Sequence, residues 1–344
     1  MSKNFFGSWS TTGNVSKSRL YSSRHFSIIY LNILKDYAKE RVGPVDSRVG
    51  PVRDLGRAVF EMKRDGNRVC LLKGRRFNPF FGLAEASWVL AGLNVLEPLR
   101  FFLATIEEYS DDGMTLNGAY GYRMRKALGM DQLEEVIRIL KNDPSSRRAI
   151  ISFWNSRDLG ASSKDIPCNT ALYFKVRSGR LDVAVCNRSN DLYLGVPYNV
   201  LTFTLIQRYI ARRINAEVGS QCHFTDSLHV YEANRQAALR IANTNAAEDL
   251  RVMLRRCPLA DLGNYAAENH ESLLRGGHGE SERSGLCKRI LASYFLWKSG
   301  RRKDAIQMVP MSDIGYAAIQ WYSNSRFFKS QWLPSWYIDL ERSA

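Results

Sequence analysis

Three short apolar segments and the long apolar helix that follows them constrain the fold of this chain more than any other feature. The segments span residues 149–154, 171–176 and 181–185 and are rich in β-branched and aromatic side chains, which is typical of strands. Ser178-Gly179 predicts a tight hairpin turn between the second and third segments. Residues 197–213 predict a helix with a proline near its start. Antiparallel strands packed by long helices predict an α+β body.

Helical spacing of apolar residues recurs on both sides of this centre. It predicts further helices over residues 26–40, 80–93, 96–109, 131–140, 235–241, 250–254, 287–299 and 314–324. Short strands are expected at 69–72 and 221–225, a Gly/Tyr loop at 117–123, and a flexible linker or loop at 275–281. Residues 1–19 are rich in Ser, Gly and Asn and predict a flexible lead-in.

The composition limits the cellular setting and the class of partner. No run of about eighteen apolar residues is present, so no transmembrane helix is expected, and the polar N-terminus does not resemble a secretory signal. Six scattered cysteines without a CxxC pair or zinc spacing indicate free thiols in a reducing cytoplasm and no metal site. The net charge of +15 favours anionic partners, either phosphorylated small molecules or nucleic acid. Because the arginine pairs are dispersed along the chain, they favour phosphorylated small molecules over nucleic acid.

Cys168 is the candidate nucleophile. It follows Pro167 just before the second predicted strand, and Arg188 ends the third. Because hairpin pairing can bring these two positions together, the arginine can hold the cysteine as a reactive thiolate. The alternative is a buried cysteine that serves only as a small apolar side chain.

Charged residues in three other segments are candidates for proton transfer and phosphate binding. Glu85 lies among apolar residues of a predicted helix, where burial would raise its pKa; the alternative is a place on the solvent face. Arg48 lies in a glycine-containing turn that can approach a phosphate or stay solvated. Arg147 and Arg148 are neighbours on an extended segment, so they point to opposite sides and need not bind one phosphate from one subunit. They could also be two surface arginines.

Three further side chains are candidates for contacts to a nucleoside. Asn199 opens the long helix, and its amide matches the O4 and N3–H edge of uracil, whereas an aspartate there would favour cytosine. The alternative role for this residue is a helix cap. His229 and Tyr231 lie two residues apart and share one face of an extended segment, where they could bind a sugar hydroxyl or serve a structural role.

Seven segments also occur in the order found in one protein family. They are SRVG at 47–50, AEASWVL at 84–90, GAYGYRMR at 118–125, DPSSRR at 143–148, PC at 167–168, NRSNDLYLGVPYN at 187–199 and residues 223–231. Together they resemble thymidylate synthases and their pyrimidine-nucleotide hydroxymethylase relatives, over residues 30–234. The resemblance implies a thymidylate synthase-like α+β catalytic domain over 20–270, with a mixed, largely antiparallel sheet, and a helical C-terminal extension over 271–344 packed on it.

The resemblance implies a covalent one-carbon transfer to C5 of a uridylate, with dUMP as the favoured substrate. Cys168 would add to C6 of the ring, so that C5 attacks the methylene of 5,10-methylenetetrahydrofolate, the expected cofactor. Glu85 would shuttle protons, Tyr120 would line the site, and Asp191 would contact the pterin of the folate.

The resemblance also assigns residues to the nucleotide and to a second subunit. The implied contacts are Arg48, Arg188 and Ser189 to the 5′-phosphate, joined by Arg147 and Arg148 of the other subunit, Asn199 to the base, and His229 and Tyr231 to the 3′-hydroxyl. A site shared in this way implies a homodimer and needs no membrane. Nucleic acid stays open as a partner because of the charge, but the intact site residues do not favour it.

Three departures from ordinary members decide the expected product. Asn169 stands where a histidine usually follows the cysteine, the tryptophan-rich segment between Leu96 and Gly118 is missing, and the short apolar closing motif of the C-terminus is not recognisable. Because such parts exclude water, their loss predicts that water captures the methylene and gives 5-hydroxymethyl-dUMP. The alternatives are reductive methylation to dTMP, a CMP or UMP hydroxymethylase of a biosynthetic pathway, and a nucleic-acid-binding derivative of the fold.

Overall fold

Two sheets lie at the centre of the computed structural model, which describes residues 18–262, 270–274 and 285–343. The strands are β1 (Arg19–Ser23), β2 (Val52–Asp54), β3 (Ala58–Met62), β4 (Ile150–Ser152), β5 (Asn169–Arg177), β6 (Arg180–Asn187), β7 (Asn190–Asp191), β8 (Glu217–Thr225) and β9 (Leu228–Tyr231). The larger sheet has the order β1-β3-β8-β6-β5-β4 and the smaller one β2-β9-β7. In the larger sheet β3–β8, β4–β5 and β5–β6 are antiparallel, whereas β1–β3 and β6–β8 are parallel. The predicted mixed, largely antiparallel sheet is confirmed.

Helices surround both sheets. The longer ones are α1 (Phe26–Lys39), α2 (Pro79–Leu90), α3 (Gln132–Asn142), α4 (Val196–Arg213), α5 (Arg235–Thr244), α6 (Ala247–Arg256), α7 (Gly285–Lys298), α8 (Arg302–Met308), α9 (Asp313–Ser323) and α10 (Ser335–Ser343). Local sequence fixes where α2 begins. The side chain of Asn78 caps the helix by accepting a hydrogen bond from the Phe81 N–H at 3.0 Å, and the next residue, Pro79, is the first of the helix. The predicted helices are confirmed, with the exception of the one over 96–109.

The turn between β5 and β6 sets the register of the larger sheet. Ser178 and Gly179 have φ values of 48° and 73°, which is the left-handed pair that a two-residue hairpin turn requires. From this turn the pairing runs back to Asn169 opposite Asn187. The register therefore places the residues just before β5 beside those just after β6.

The predicted strand at 69–72 is wrong. The segment is buried, but the Ser27 hydroxyl of α1 donates to Val69 O at 2.8 Å and accepts from the Leu71 N–H at 3.2 Å. A side chain therefore satisfies backbone groups that a neighbouring strand would otherwise pair.

The predicted helix over 96–109 is broken into two short turns. These turns span Glu97–Arg100 and Ala104–Tyr109. Between them the ring of Phe102 packs 5.3 Å from that of Tyr294 in α7, and the Phe102 carbonyl accepts from the side-chain amide that caps α2. Tertiary packing therefore overrides the local helical pattern.

The predicted loop at 117–123 is partly helical. A turn at Tyr120–Tyr122 continues into a π-helical turn at Arg123–Ala127. Gly121 allows this turn to lie against α2, since a Cβ atom there would stand 2.2 Å from Val89 O. The spacing of apolar residues in the sequence does not predict this close approach of Gly121 to α2.

The two faces of the larger sheet differ in their cover. Leu172 and Val185 are fully buried on the face where α4 packs. On the opposite face Tyr173 is 45%, Phe224 41% and Ile150 38% exposed. This second face is an exposed surface with large apolar side chains, which is typical of a contact with another protein.

The C-terminal helices pack directly on α2. The Phe80 ring of α2 lies 4.8 Å from that of Tyr294 in α7 and 5.1 Å from that of Tyr322 in α9. At the start of α9 the buried Asp313 carboxylate accepts from the Asn67 amide at 3.0 Å and from the Ala260 N–H at 2.9 Å. These bonds join the C-terminal helices to the part of the chain that carries the sheets.

Two predicted flexible segments fall largely outside the described residues. They are residues 1–17 of the lead-in and the linker at 275–281. The lead-in prediction extends one residue too far, because β1 begins at Arg19. In the described ranges, no helix combines the length and the apolar composition that spanning a bilayer requires.

Candidate active site

Cys168 lies directly before β5, beside the end of β6. The Arg188 N–H donates to the Cys168 carbonyl at 3.0 Å. Arg188 Nη2 lies 3.6 Å from Cys168 Sγ, and the Ser189 hydroxyl lies 3.5 Å from the same sulfur. The hairpin therefore gives the sulfur a cation and a hydroxyl donor, the surroundings that stabilise a thiolate.

The other cysteines have different surroundings. All six are free, but Cys70, Cys257 and Cys287 are buried. Burial raises the pKa of the Cys70 thiol to about 11 and that of the Cys257 thiol to about 12. Buried thiols of this kind are poor nucleophiles, so Cys168 is the candidate that the geometry favours.

The Arg188 side chain is held by neutral groups. Its Nε donates to Pro167 O at 2.9 Å and its Nη2 to Ile166 O at 3.1 Å. The guanidinium carbon also lies 5.6 Å from the ring centre of Trp154. Because none of these partners carries a negative charge, the positive charge of Arg188 remains available to the sulfur and to an anionic ligand.

Glu85 and Tyr120 are two further titratable side chains whose pKa values burial raises. Glu85 is partly buried on α2, and burial raises its pKa to about 7. Tyr120 Oη lies 3.4 Å from the backbone nitrogen of Asn169, the residue after Cys168. Burial raises the pKa of Tyr120, and the nearby Cys168 sulfur adds to that effect. A carboxyl with a pKa near neutrality can both give and accept a proton.

Asp191 and Asn199 flank the turn from β7 into α4. Asp191 Oδ1 accepts from the N–H groups of Tyr193 at 2.7 Å and Leu194 at 3.0 Å. Its Oδ2 is buried and has no hydrogen-bond partner among the residues described, and burial raises the pKa of this carboxyl. Asn199 Nδ2 donates to Asn190 Oδ1 at 3.1 Å. The turn therefore leaves one carboxylate oxygen that a ligand or an ordered water can satisfy.

The smaller sheet carries the predicted sugar-binding pair. His229 and Tyr231 lie on β9 with ring centres 5.4 Å apart and nearly perpendicular planes. β9 pairs with β7 so that His229 stands opposite Asp191. Arg48 lies in the loop before β2, and its guanidinium donates to the carbonyl oxygens of residues 163–164 at 3.0 and 2.7 Å. Arg48 thereby reaches the segment that leads into Cys168.

Arg147 and Arg148 are not brought to this cluster. Both are exposed in the segment before β4. Within the described ranges, neither guanidinium makes a hydrogen bond or ion pair with another predicted site residue. A role for these two residues at the site therefore requires a second chain.

Comparison with known proteins identifies the family. The family model described as thymidylate synthase matches residues 30–269, more than half of the chain. The chain belongs to the thymidylate synthase family. The crystal structure of thymidylate synthase from T4 phage superposes with a TM-score of 0.53 and 24% identity, covering 63% of this chain and 81% of that one. The thymidylate synthase-like fold predicted from the sequence is confirmed.

Individual members of the family align over part of their length. Deoxyuridylate hydroxymethyltransferase of Pseudomonas phage M6 is 40% identical over 191 residues, which are 54% of either chain. The protein of the same name from Bacillus phage SP01 is 37% identical over 218 residues, 59% of this chain and 56% of that one. Thymidylate synthase of Staphylococcus haemolyticus is 39% identical over 107 residues, 31% of this chain and 33% of that one. The chain spans about half the length of the first two relatives.

Sequence reasoning missed a row of buried polar side chains beside Cys168. Asn169 pairs with Asn187 in β6, and Asn187 pairs with Thr225 in β8. Both polar side-chain atoms of Asn169, Oδ1 of Asn187 and Oγ1 of Thr225 lack partners in the described part of the chain. Buried polar atoms of this kind require a ligand or ordered water. The available signal was a polar residue at inward-facing positions of otherwise apolar strands.

Proposed function

We propose that this member of the thymidylate synthase family transfers a one-carbon unit from 5,10-methylenetetrahydrofolate to C5 of dUMP and releases 5-hydroxymethyl-dUMP. The approach of the Arg188 guanidinium and the Ser189 hydroxyl to Cys168 Sγ carries the proposal. The deoxyuridylate hydroxymethyltransferases among the relatives support the choice of substrate.

Cys168 begins the reaction. Its thiolate, held by the positive charge of Arg188, adds to C6 of the uracil ring, and the electron pair of the C5–C6 double bond moves towards C5 and O4. C5 can then attack the one-carbon unit. Loss of the proton from C5 would expel the folate nitrogen and leave a methylene group on C5. Water would then add to this methylene to give the hydroxymethyl group, and the sulfur would depart from C6 as the C5–C6 double bond returns.

The nucleotide is held by groups from both sheets. We assign Arg48, Arg188 and Ser189 to the 5′-phosphate, Asn199 to the O4 and N3–H edge of the base, and His229 and Tyr231 to the 3′-hydroxyl. Arginines bind phosphate through paired N–H donors, and the charge of Arg188 lies where both the sulfur and the phosphate can use it. The amide of Asn199 offers both a donor and an acceptor, as the uracil edge requires.

Glu85 moves protons at the base. Its pKa of about 7 means that it exists in both protonation states at neutral pH. It can donate a proton to O4 while C6 is being attacked and take one back when C5 loses its hydrogen. Tyr120 lines the site beside Asn169, whose N–H donates to the Tyr120 hydroxyl.

Asp191 fits a folate. The bound folate supplies the one-carbon unit at the oxidation level of formaldehyde. Asp191 Oδ2 is a buried acceptor without a partner in the described residues, so an N–H group of the pterin satisfies it. Asp191 Oδ1 is already fixed by two backbone N–H groups, which hold the carboxylate in position.

The product follows from the side chain next to the nucleophile. Asn169 is fully buried, and its amide has a donor and an acceptor without protein partners among the described residues. Such an amide can hold a water close to C5, which favours a hydroxymethyl product over reduction. Thymidylate synthase activity with dTMP as product is the second candidate, because a relative of that name also aligns.

Two subunits are needed for the complete site. The exposed face of the larger sheet carries Tyr173, Phe224 and Ile150, which suit a contact with a second copy of the chain. Arg147 and Arg148 are separated from Ile150 by Ala149 alone, and the edge strand β4 begins at Ile150. We therefore propose a homodimer in which these two arginines reach the phosphate of the other subunit.

The remaining predictions concern organisation and location. We propose that residues 20–270 form the catalytic domain and that residues 271–344 are an extension packed on α2. The free cysteines suit a reducing compartment, and we place the enzyme in the cytoplasm.

Product analysis tests the proposal. The purified protein is incubated with dUMP and 5,10-methylenetetrahydrofolate, and the nucleotide is identified by mass spectrometry. We expect 5-hydroxymethyl-dUMP together with tetrahydrofolate. Formation of dTMP together with dihydrofolate selects the second candidate, and turnover of dCMP or UMP in preference to dUMP contradicts the assigned substrate.

A further inference from the structure

Four cations of the C-terminal region lie on aromatic rings. The guanidinium carbon of Arg302 lies 3.8 Å from the ring centre of Phe327, and that of Arg326 lies 4.9 Å from the same centre. Nearby, Lys329 Nζ lies 5.5 Å from the ring centre of Trp332. The fourth cation is Lys298 at the end of α7, packed on other rings. The cation–aromatic patch consists of Lys298, Arg302, Arg326, Phe327, Lys329 and Trp332.

The positive charge of this patch is not neutralised by nearby carboxylates. Arg301 pairs with Asp304 at 2.9 Å, but in the ranges described no salt bridge joins a carboxylate to a cation of the patch. Between residues 298 and 334 the chain has six Lys or Arg and two Asp, and one of these, Asp313, is buried. The surface therefore keeps a positive potential that attracts anions.

We propose that the cation–aromatic patch binds single-stranded nucleic acid. Arg302 and Arg326 share the Phe327 ring, whereas Lys329 and Lys298 rest on other rings, so the positive charge is spread along the patch and a chain of phosphates fits it better than one phosphate group does. Phe327 is 43% exposed, and an exposed ring or a guanidinium that lies over a ring offers a surface for an unpaired base. Bases of a duplex are stacked on each other and cannot use such a surface.

The residues of the patch are different from those assigned to the candidate active site. All six residues lie outside residues 30–269, the part matched by the family model. None of them is assigned to dUMP or to the folate. Loss of nucleic-acid binding therefore leaves turnover of dUMP unchanged, and the two proposals can fail independently.

Fluorescence anisotropy with a labelled oligo(dT) strand tests this inference. The full-length protein should bind at about 50 mM salt, and the logarithm of the affinity should fall linearly with the logarithm of salt concentration, by about 0.7 for each cation in contact. Arg326→Glu combined with Lys329→Glu should weaken binding at least about tenfold. Arg138→Glu combined with Arg251→Glu makes the same change of net charge on α3 and α6, and should have a much smaller effect.

A second variant separates stacking from charge. Phe327→Ala keeps every cation, so it should weaken binding of the single strand without changing the slope of the salt dependence. Three results overturn the inference: no binding at about 50 mM salt, equal losses in the patch variant and in the charge-matched control, or a duplex that binds as tightly as the single strand.

Discussion

Arg123 and Arg188 have opposite surroundings in this molecule. Arg123 donates to both carboxylate oxygens of Asp158 at 2.8 Å, and the two side chains are almost fully buried. Arg188 donates hydrogen bonds to two backbone carbonyls, and its Nη2 lies 3.6 Å from the Cys168 sulfur. Among the described residues, no carboxylate forms a hydrogen bond with its guanidinium. The first charge is neutralised inside the protein, whereas the second is left for a ligand. The partner of an arginine thus separates a structural role from a functional one.

The same difference divides two aspartates. Both carboxylate oxygens of Asp313 accept a hydrogen bond, one from the Asn67 amide and the other from the Ala260 N–H. In Asp191 only Oδ1 accepts hydrogen bonds, and Oδ2 has no hydrogen-bond partner in the part of the chain described. The satisfied carboxylate joins α9 to the rest of the molecule, and the half-satisfied one lies in the candidate active site.

The largest expected effect on stability is at Arg123. Arg123→Met leaves the Asp158 carboxylate buried without its partner, and we expect the free energy of unfolding to fall by about 3–5 kcal/mol. Urea denaturation measures this change. Arg123→Met combined with Asp158→Leu should recover much of the loss, since no unpaired charge remains. If Arg123→Met lowers the free energy of unfolding by less than about 1 kcal/mol, the contrast between Arg123 and Arg188 is contradicted.

Arg188 should show the reverse behaviour. Arg188→Met is expected to lower kcat/KM for dUMP by at least about a hundredfold, because the thiolate and the phosphate both lose their cation. The free energy of unfolding should change by less than about 1 kcal/mol. Arg177→Met, an exposed position on the same hairpin, is the matched control and should alter neither quantity. Destabilisation by Arg188→Met comparable to that of Arg123→Met would remove the distinction.

Glu85 should show a smaller, pH-dependent effect. Its pKa is raised by burial from 4.5 to about 7, so between these values the folded protein binds a proton that the unfolded chain has lost. The stability contributed by Glu85 is therefore present at low pH and is lost as the pH rises towards 7. Glu85→Gln stays neutral, so the variant should gain stability relative to the natural protein between about pH 5 and about pH 8. Urea denaturation at both pH values checks this, and a constant difference contradicts it.

The neighbourhood of Cys168 could be predicted from the sequence because local geometry determines it. Ser178 and Gly179 fix a two-residue turn, and counting back from that turn places Cys168 opposite Ser189, next to Arg188; a one-residue register shift between Asn169 and Ala171 then brings Cys168 beside Arg188. The turn gives the neighbourhood of Cys168 to within one residue, and the shift near Asn169 gives the rest. The helices α1, α3 and α4 could also be predicted from the sequence, since each has a long apolar stripe.

Features that depend on distant partners could not be predicted. Thr225 joins the polar row of Asn169 and Asn187 only because β8 pairs with β6 in parallel, after the whole of α4. The break near Phe102 depends on a ring of α7, and the segment after Arg68 depends on a hydroxyl of α1. In each case a tertiary contact satisfies groups that local sequence would assign to regular structure.

Release of the hydrogen at C5 tests the central claim most directly. With dUMP labelled with tritium at C5 and with 5,10-methylenetetrahydrofolate, the natural protein should release tritium into water whichever product forms. Cys168→Ala should slow the release by more than about a thousandfold, whereas Cys186→Ala, which changes another partly exposed cysteine, should not. Equal release by Cys168→Ala, or none by the natural protein, would contradict the account.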